Sequence, residues 1–371
     1  MGGKRVSRTD AMRFMEGSEA IAEATIAAGC RFFAGYPMTP FTELLEHLAR
    51  RLPEEGGVCV NAESELEAVG MAWGAVATGN RAATGSTGQG LALMQESFSE
   101  ITRAELPLVI FNMARGQSDY FQATRGGGHG DYRHIVLAPM DIAEAVELTQ
   151  LAFHLADKWL NPVLVYGDYL LAHTSEAVEI PQGGPDEMGA LPDKPWKIDG
   201  RLAGSGRSRN ANSLGFEKGK PGIDPEAFWK RLAVKHEEIA AQEARVETLF
   251  TEDARLIVVA FGSIAKFVRY VVKQLRAEGM PVGFVRPITL WPFPSEALAK
   301  AADGASRVAV LEQNAGQMID DVRLAVLGAA PVDGIGEIST DSSGFGVGAI
   351  HDAEFIGRRI REAFAGREQR T

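Results

Sequence analysis

The stretch NAESELEAVGMAWGAVATGN, Asn61 to Asn80, decides how this chain is read. Three glutamates, Glu63, Glu65 and Glu67, crowd the start of a helix that is otherwise almost entirely small and apolar. Carboxylates in a first turn are favoured by the helix dipole, so all three can be ordinary first-turn acids. Alternate spacing spreads them around the helix, so they cannot share one face. A carboxylate at a buried helix end is costly without a partner, which makes it a candidate for chemistry. Gly70 and Gly74 lie four apart on one face, where glycine costs ~1 kcal/mol relative to alanine. They point to close approach by another backbone or a ligand; plain helix–sheet packing is the simpler alternative.

Outward from this helix the chain alternates helix and strand signals. Gly17 to Gly29 reads as a helix with Ser18 as N-cap, followed by a strand at Arg31 to Ala34. Helices are expected at Phe41 to Arg51, Gly90 to Arg103 and Asp141 to Leu155. Strands are expected at Gly57 to Val60, Arg81 to Thr84, Leu106 to Asn112 and Pro162 to Tyr166. Such alternation implies a parallel sheet covered by helices on both faces. Prolines and glycines from Pro181 to Pro195, then GRLAGSGRSRNANSLG, mark a connector that ends in a charged helix, roughly Pro225 to Glu247. From RLIVVAF, Arg255 to Phe261, a second and smaller α/β unit begins. The expected organisation is two parallel-sheet domains, 1–180 and 251–371, joined by a connector, 181–250.

Composition narrows the function. The 371 residues are 45% hydrophobic and 23% charged, ordinary for a globular protein. A net charge of −11 argues against a nucleic-acid surface. No run approaches the ~18 apolar residues of a membrane span. The start MGGKRVSRTD lacks an apolar signal core, and Val6 breaks the myristoylation pattern. A cytoplasmic location is expected. Cys30 and Cys59 are too few for a four-cysteine iron–sulfur cluster or a disulfide framework, and read as structural thiols. The seven histidines form no ligand spacing, so no metal is expected on this chain alone.

Three further segments sit at strand-to-helix junctions, where open parallel sheets bind ligands. GYPMTP, Gly35 to Pro40, is stiffened by two prolines and offers the Thr39 hydroxyl; a proline-bounded turn is the bland alternative. GSTGQGLALMQES, Gly85 to Ser97, could cradle an anion, but it lacks a Walker lysine and its glycines fall GxxGxG, so phosphate binding is disfavoured. The polar loop Asn112 to His134 carries Arg115, Arg125 and Arg133; loops of this length are functional or disordered. An arginine just past a strand end can pair with a carboxylate substrate, although a solvated surface charge is the commoner fate.

In combination GYPMTP, ESELEAVGMAWGA, GSTGQGLALMQE and RGQSDYFQATRGGGHGDYR resemble the alpha subunit of 2-oxoacid:ferredoxin oxidoreductases. FGSIAKFV, VRPITLWPFP and VLEQNAGQM resemble the same family's second domain, which is similar to the transketolase C-terminal domain. The RGQSDYFQATRGGGHGDYR loop and WKIDGRLAGSGRSRNANSL look most like the branched-chain (3-methyl-2-oxobutanoate) subgroup.

The resemblance implies a thiamine-diphosphate pyrimidine-binding domain followed by the transketolase-like domain. It implies CoA-dependent oxidative decarboxylation of a branched-chain 2-oxo acid to acyl-CoA and CO2, with electrons passed to ferredoxin. The alternatives are 2-oxoglutarate or an aryl 2-oxo acid, or a non-enzymatic α/β ligand-binding module. Thiamine diphosphate would be shared with a beta subunit carrying the diphosphate-binding domain and Mg2+. Iron–sulfur clusters would lie on the beta subunit and on a small ferredoxin-like gamma or delta subunit. By motif, Glu65 is the catalytic and cofactor-binding glutamate that hydrogen-bonds the aminopyrimidine ring nitrogen. Pro37 lies against the pyrimidine, Thr39 hydrogen-bonds substrate, and Arg115 holds the substrate carboxylate, with Arg125 as second choice. Glu312, Asn314 and Gly316 receive no catalytic role; packing between subunits is their reading.

Overall fold

The computed structural model describes residues 12–181, 184, 188–198, 217–221, 224–340 and 351–366. Much of the glycine- and serine-rich connector, from 199 to 216, lies outside the described residues. The strands in chain order are β1 (Arg13–Glu16), β2 (Phe32–Gly35), β3 (Val58–Asn61), β4 (Ala82–Ser86), β5 (Leu108–Ala114), β6 (Ile135–Leu137), β7 (Val163–Asp168) and β8 (Ser175–Val178). They continue as β9 (Val246–Leu249), β10 (Leu256–Val259), β11 (Val282–Pro287), β12 (Thr289–Trp291), β13 (Arg307–Val310) and β14 (Val332–Gly334).

The larger sheet runs β12-β6-β7-β5-β4-β2-β3. All its pairings are parallel except β12 on β6. Its middle strand β5 is buried along its whole length, which explains the run LVIFNMA, apolar except for Asn112. The smaller sheet runs β14-β13-β10-β11-β9 and is parallel except for β9. A two-stranded antiparallel ribbon joins β1 to β8.

The two expected parallel-sheet units are present, each with one antiparallel edge strand. Strands cross the expected division at 180 and 250. β12 comes from the second half but completes the first sheet, and β9 comes from the connector region but completes the second. These two strands, like β1, β6, β8 and β14, are short and were not expected from sequence, and three-residue β12 is too short to show an alternating pattern.

Smaller corrections follow from side chains. The first helix, Gly17–Ala27, is capped by Glu16 rather than Ser18, and the Glu16 N–H donates to Glu19 Oε2 at 3.4 Å. Ser18 is buried and donates instead to the Ala172 carbonyl at 3.2 Å. The helix expected from Gly90 begins at Gly88 and breaks at Met94 into Gly88–Leu93 and Gln95–Arg103. The connector helix ends at Glu243, four residues early, to let β9 form.

One apolar core joins the two sheets. Tyr120 from the loop after β5 and Tyr166 from β7 both pack on Phe261, with ring centroids 5.4 and 5.7 Å apart. Buried Arg286 of β11 ties the halves together. It donates two 2.8 Å bonds to Glu144, ahead of β7, and one to Glu247 of β9. A buried guanidinium needs such full pairing to offset its desolvation.

Candidate active site

The carboxyl ends of β3, β2, β4 and β5 lie side by side, and every residue selected from sequence follows one of them. The helix Glu65–Ala77 leaves β3 after a Ser64 cap, whose hydroxyl accepts the Glu67 N–H at 3.5 Å. Glu65, Ala68, Val69, Ala72 and Val76 form its buried stripe. Of the three clustered acids, Glu63 and Glu67 are exposed and Glu65 is 3% exposed.

The Glu65 carboxylate points at β4. Its Oε1 accepts the Ser86 hydroxyl at 3.2 Å, and among the described residues no other hydrogen bond reaches it. Gly90 makes room for this pair. A Cβ there would fall 2.2 Å from Glu65 Oε1 and 2.0 Å from Ser86 Oγ. The last glycine of GSTGQG therefore reflects the approach of a carboxylate from the preceding helix. The Gly88 N–H is also taken from within, by Asp119 Oδ2 at 3.2 Å.

Thr39 and Arg115 come together. Arg115 Nε donates to the Thr39 carbonyl at 3.2 Å and Nη1 to Gln89 Oε1 at 3.1 Å. Pro37 and Thr39 are both exposed. Beyond them opens a cleft of about 550 Å³ whose lining includes Thr87, Gln89, Arg115, Asp119, Gln122 and Asn314. Arg115 is its sole cation among the described lining residues. Burial holds the Asp119 carboxyl above the usual range, against the pull of Asn112, the Gly88 N–H and Arg115. Two polar oxygens at this edge are buried without a partner, Asn112 Oδ1 and Gln122 Oε1. A cavity of about 850 Å³ elsewhere touches none of the sequence-selected residues.

Arg125 is engaged away from the cleft. It donates twice to Asp321, at 3.0 Å each, and covers Phe121 at 5.4 Å. Tyr120 donates to the same carboxylate at 2.6 Å. Glu312, Asn314 and Gly316, read as packing between subunits, contact this chain's own elements. Glu312 accepts the N–H groups of Gln317, Met318 and Ile319 at the start of the helix Met318–Val326. Asn314 donates to the Gln117 carbonyl at 2.9 Å and accepts the Gly316 N–H.

Sequence reasoning missed Ser86, Gln89, Asp119 and Gln117. Ser86 and Gln89 sit inside a motif weighed only for phosphate. Gln117 and Asp119 carried no signal beyond lying in the long loop.

The sequence family described as "Pyruvate flavodoxin/ferredoxin oxidoreductase, thiamine diP-bdg" matches residues 23–197, and "Pyruvate:ferredoxin oxidoreductase core domain II" matches 254–341. The ketoisovalerate oxidoreductase subunit VorB of Methanothermobacter thermautotrophicus is 38% identical over 325 residues, covering 85% of this chain and 90% of that protein. This chain is an alpha-type subunit of the 2-oxoacid:ferredoxin oxidoreductase family. The 2-oxoglutarate synthase subunit KorA of the same organism is 35% identical over 377 residues, covering 92% of this chain and 96% of that one. The 2-oxoglutarate:ferredoxin oxidoreductase of Magnetococcus marinus, solved with 2-oxoglutarate, coenzyme A and succinyl-CoA bound, superposes with a TM-score of 0.81 at 27% identity. That match covers 95% of this chain, which spans 65% of the Magnetococcus chain. A split-gene transketolase shares the fold, with a TM-score of 0.57 at 16% identity, 95% coverage of this chain and 99% of that one.

For an oxidoreductase subunit with a thiamine-diphosphate-binding domain, the residues present fit one end of the cofactor. An aminopyrimidine calls for a buried carboxylate near a cleft and a flat apolar neighbour. Glu65, buried and bonded to Ser86 just before the cleft residues Thr87–Gln89, and exposed Pro37 are side chains of those two kinds.

Proposed function

We propose that this chain supplies the pyrimidine half of a thiamine-diphosphate site in an enzyme that oxidatively decarboxylates a branched-chain 2-oxo acid. Acyl-CoA and CO2 are the products in this reading, and ferredoxin takes the electrons. The buried Glu65–Ser86 pair beside an open cleft is the observation that carries it. Thiamine diphosphate, when bound, supplies the electron sink for decarboxylation. Glu65 holds a proton at the pyrimidine ring nitrogen, Pro37 supports the ring, and Thr39 and Arg115 orient the 2-oxo acid. In this reading Ser86 fixes the Glu65 carboxylate so that its remaining oxygen faces the cofactor.

A beta subunit completes the site with the diphosphate-binding domain and Mg2+, and partner chains carry the iron–sulfur clusters. The face of helix Glu65–Ala77 opposite its buried stripe supports a covering chain. Leu66 and Met71 are 52% and 43% exposed, and nothing within 4 Å would meet a Cβ at Gly70 or Gly74. The close approach read from those two glycines is not made by this chain's described residues.

Arg115, the sole cation among the described cleft residues, supports a monocarboxylate. A second carboxylate, as in 2-oxoglutarate, calls for a second cation, and Arg125 is committed to Asp321. The KorA relatives, nearly as similar as VorB, support 2-oxoglutarate as the second reading. A reconstituted complex assayed on a panel of 2-oxo acids with a dye acceptor decides between them. Preference for 3-methyl-2-oxobutanoate is expected; preference for 2-oxoglutarate overturns the branched-chain reading.

A further inference from the structure

In an open α/β sheet, ligands bind where the strand order reverses, beyond the carboxyl ends of the two strands there. In the smaller sheet that place lies between β10 and β13, because β11 follows on one side and β13 and β14 on the other. The crevice is filled by a side chain of the other domain. Gln117, 1% exposed, donates through Nε2 to the carbonyl of Phe261, just past β10, at 2.8 Å. Its Oε1 accepts the N–H of Gln313, just past β13, at 2.9 Å.

The backbone around Gln117 is held from the same side. Asn314 Nδ2 donates to the Gln117 carbonyl at 2.9 Å, and Gln317 Nε2 donates to the Ser118 carbonyl at 2.8 Å. Gln317 Oε1 accepts the Phe121 N–H at 2.8 Å. Tyr166, from β7, donates to the Gly116 carbonyl at 3.1 Å. Arg115 lies two residues before Gln117 and leans the opposite way, onto Thr39 and Gln89.

We infer that the second domain acts as a receptor for Gln117, and that Gln117 is a positioning residue for Arg115. Its crevice binds an amide of the same chain where a free-standing α/β domain would bind a ligand. The domain thereby fixes where the loop leaves β5 and where the Arg115 guanidinium stands. This rests on the proposed role of Arg115 with a 2-oxo acid.

The test uses the reconstituted complex with Gln117→Met, which keeps the side chain's length and removes both hydrogen bonds. The KM for the 2-oxo acid should rise about tenfold, the scale of one or two lost hydrogen bonds, with kcat within about threefold. The KM for CoA should stay unchanged. Asn314→Leu, which removes the bond to the Gln117 carbonyl without adding charge to the cleft, should shift the same KM in the same direction. In an Arg115→Lys background, Gln117→Met should add far less than it does alone, because the two act through one group. A fall in kcat and melting temperature with the 2-oxo acid KM unchanged, in both single variants, overturns the inference while leaving the proposed function standing. Full additivity in the double variant overturns it likewise. A wild-type complex inert towards every 2-oxo acid overturns both.

Discussion

The hydroxyl of Ser86 stands 3.2 Å from Oε1 of Glu65, and both residues are buried at the carboxyl edge of the larger sheet. One carboxylate from the helix after β3 is thus oriented by the last residue of β4. Gly90 is what allows the approach, since a Cβ there would overlap both partners. Gly90→Ala is expected to push Glu65 out of place and to lower turnover on the order of 10²-fold, the usual cost of a misplaced catalytic group. Ser86→Ala leaves the carboxylate without its hydroxyl donor and should destabilise by about 1–3 kcal/mol. Steady-state kinetics and thermal melting of the assembled complex measure the two effects.

Arg115 and Arg125 are separable by experiment. Arg125 makes a bidentate pair with Asp321 across the two domains. Its side chain is 40% exposed, so the pair contributes modestly, about 1 kcal/mol. Arg125→Ala should lower the melting temperature slightly and leave the KM for the 2-oxo acid nearly unchanged. Arg115→Ala should raise that KM at least tenfold, the scale of a lost charge-assisted contact. Kinetics on the two variants side by side check this, and the reverse pattern would reassign the carboxylate-binding role.

Acid should weaken the fold through two histidines. Burial pushes His134 and His236 down to about 4, from an ordinary 6.5. Lys235 and Arg133 oppose charge on His236, while Glu105 favours it. Arg133 opposes charge on His134. A histidine held neutral in the fold protonates first in the unfolded chain. Its contribution is therefore full above pH 6.5 and is lost as pH falls from 6.5 towards 4. Between pH 6.5 and 5 each should cost about 2 kcal/mol. Asp119 and Asp168, raised by burial, act in the opposite sense and gain stability as pH falls. Denaturant melts at pH 7.5 and 5 should show the loss, and His134→Leu should flatten the slope.

The two thiols should be unreactive in the native protein. Burial raises Cys30 to about 12 and Cys59 to about 11, so little thiolate exists at pH 8. Iodoacetamide should label neither within the time that labels both after unfolding. Rapid native labelling of Cys30 would show that the strand beneath it opens.

The buried elements were legible in sequence because their apolar runs are nearly continuous. The helix from Glu65 and the buried strands β5 and β10 carry such runs. Edge strands β9 and β12 were not, because VETL and TLW carry no apolar run and are made strands by their partners. Among the site residues, Glu65 could be chosen from three glutamates only through a motif. Its selection in space comes from Ser86 and Gly90, which end and follow a different strand. Gln117 illustrates the same limit. A glutamine in a polar loop carries no signal until the Phe261 carbonyl and the Gln313 N–H are brought to either side of it.

The most direct test of the central claim is Glu65→Gln in the reconstituted complex, followed by 2-oxo-acid-dependent dye reduction. Glutamine preserves the size of the side chain at a 3% exposed position, so assembly should be intact. The account predicts a loss of turnover of at least about 10²-fold, the lower range for removing a positioned acid–base group. Near-normal turnover in an intact complex would contradict it.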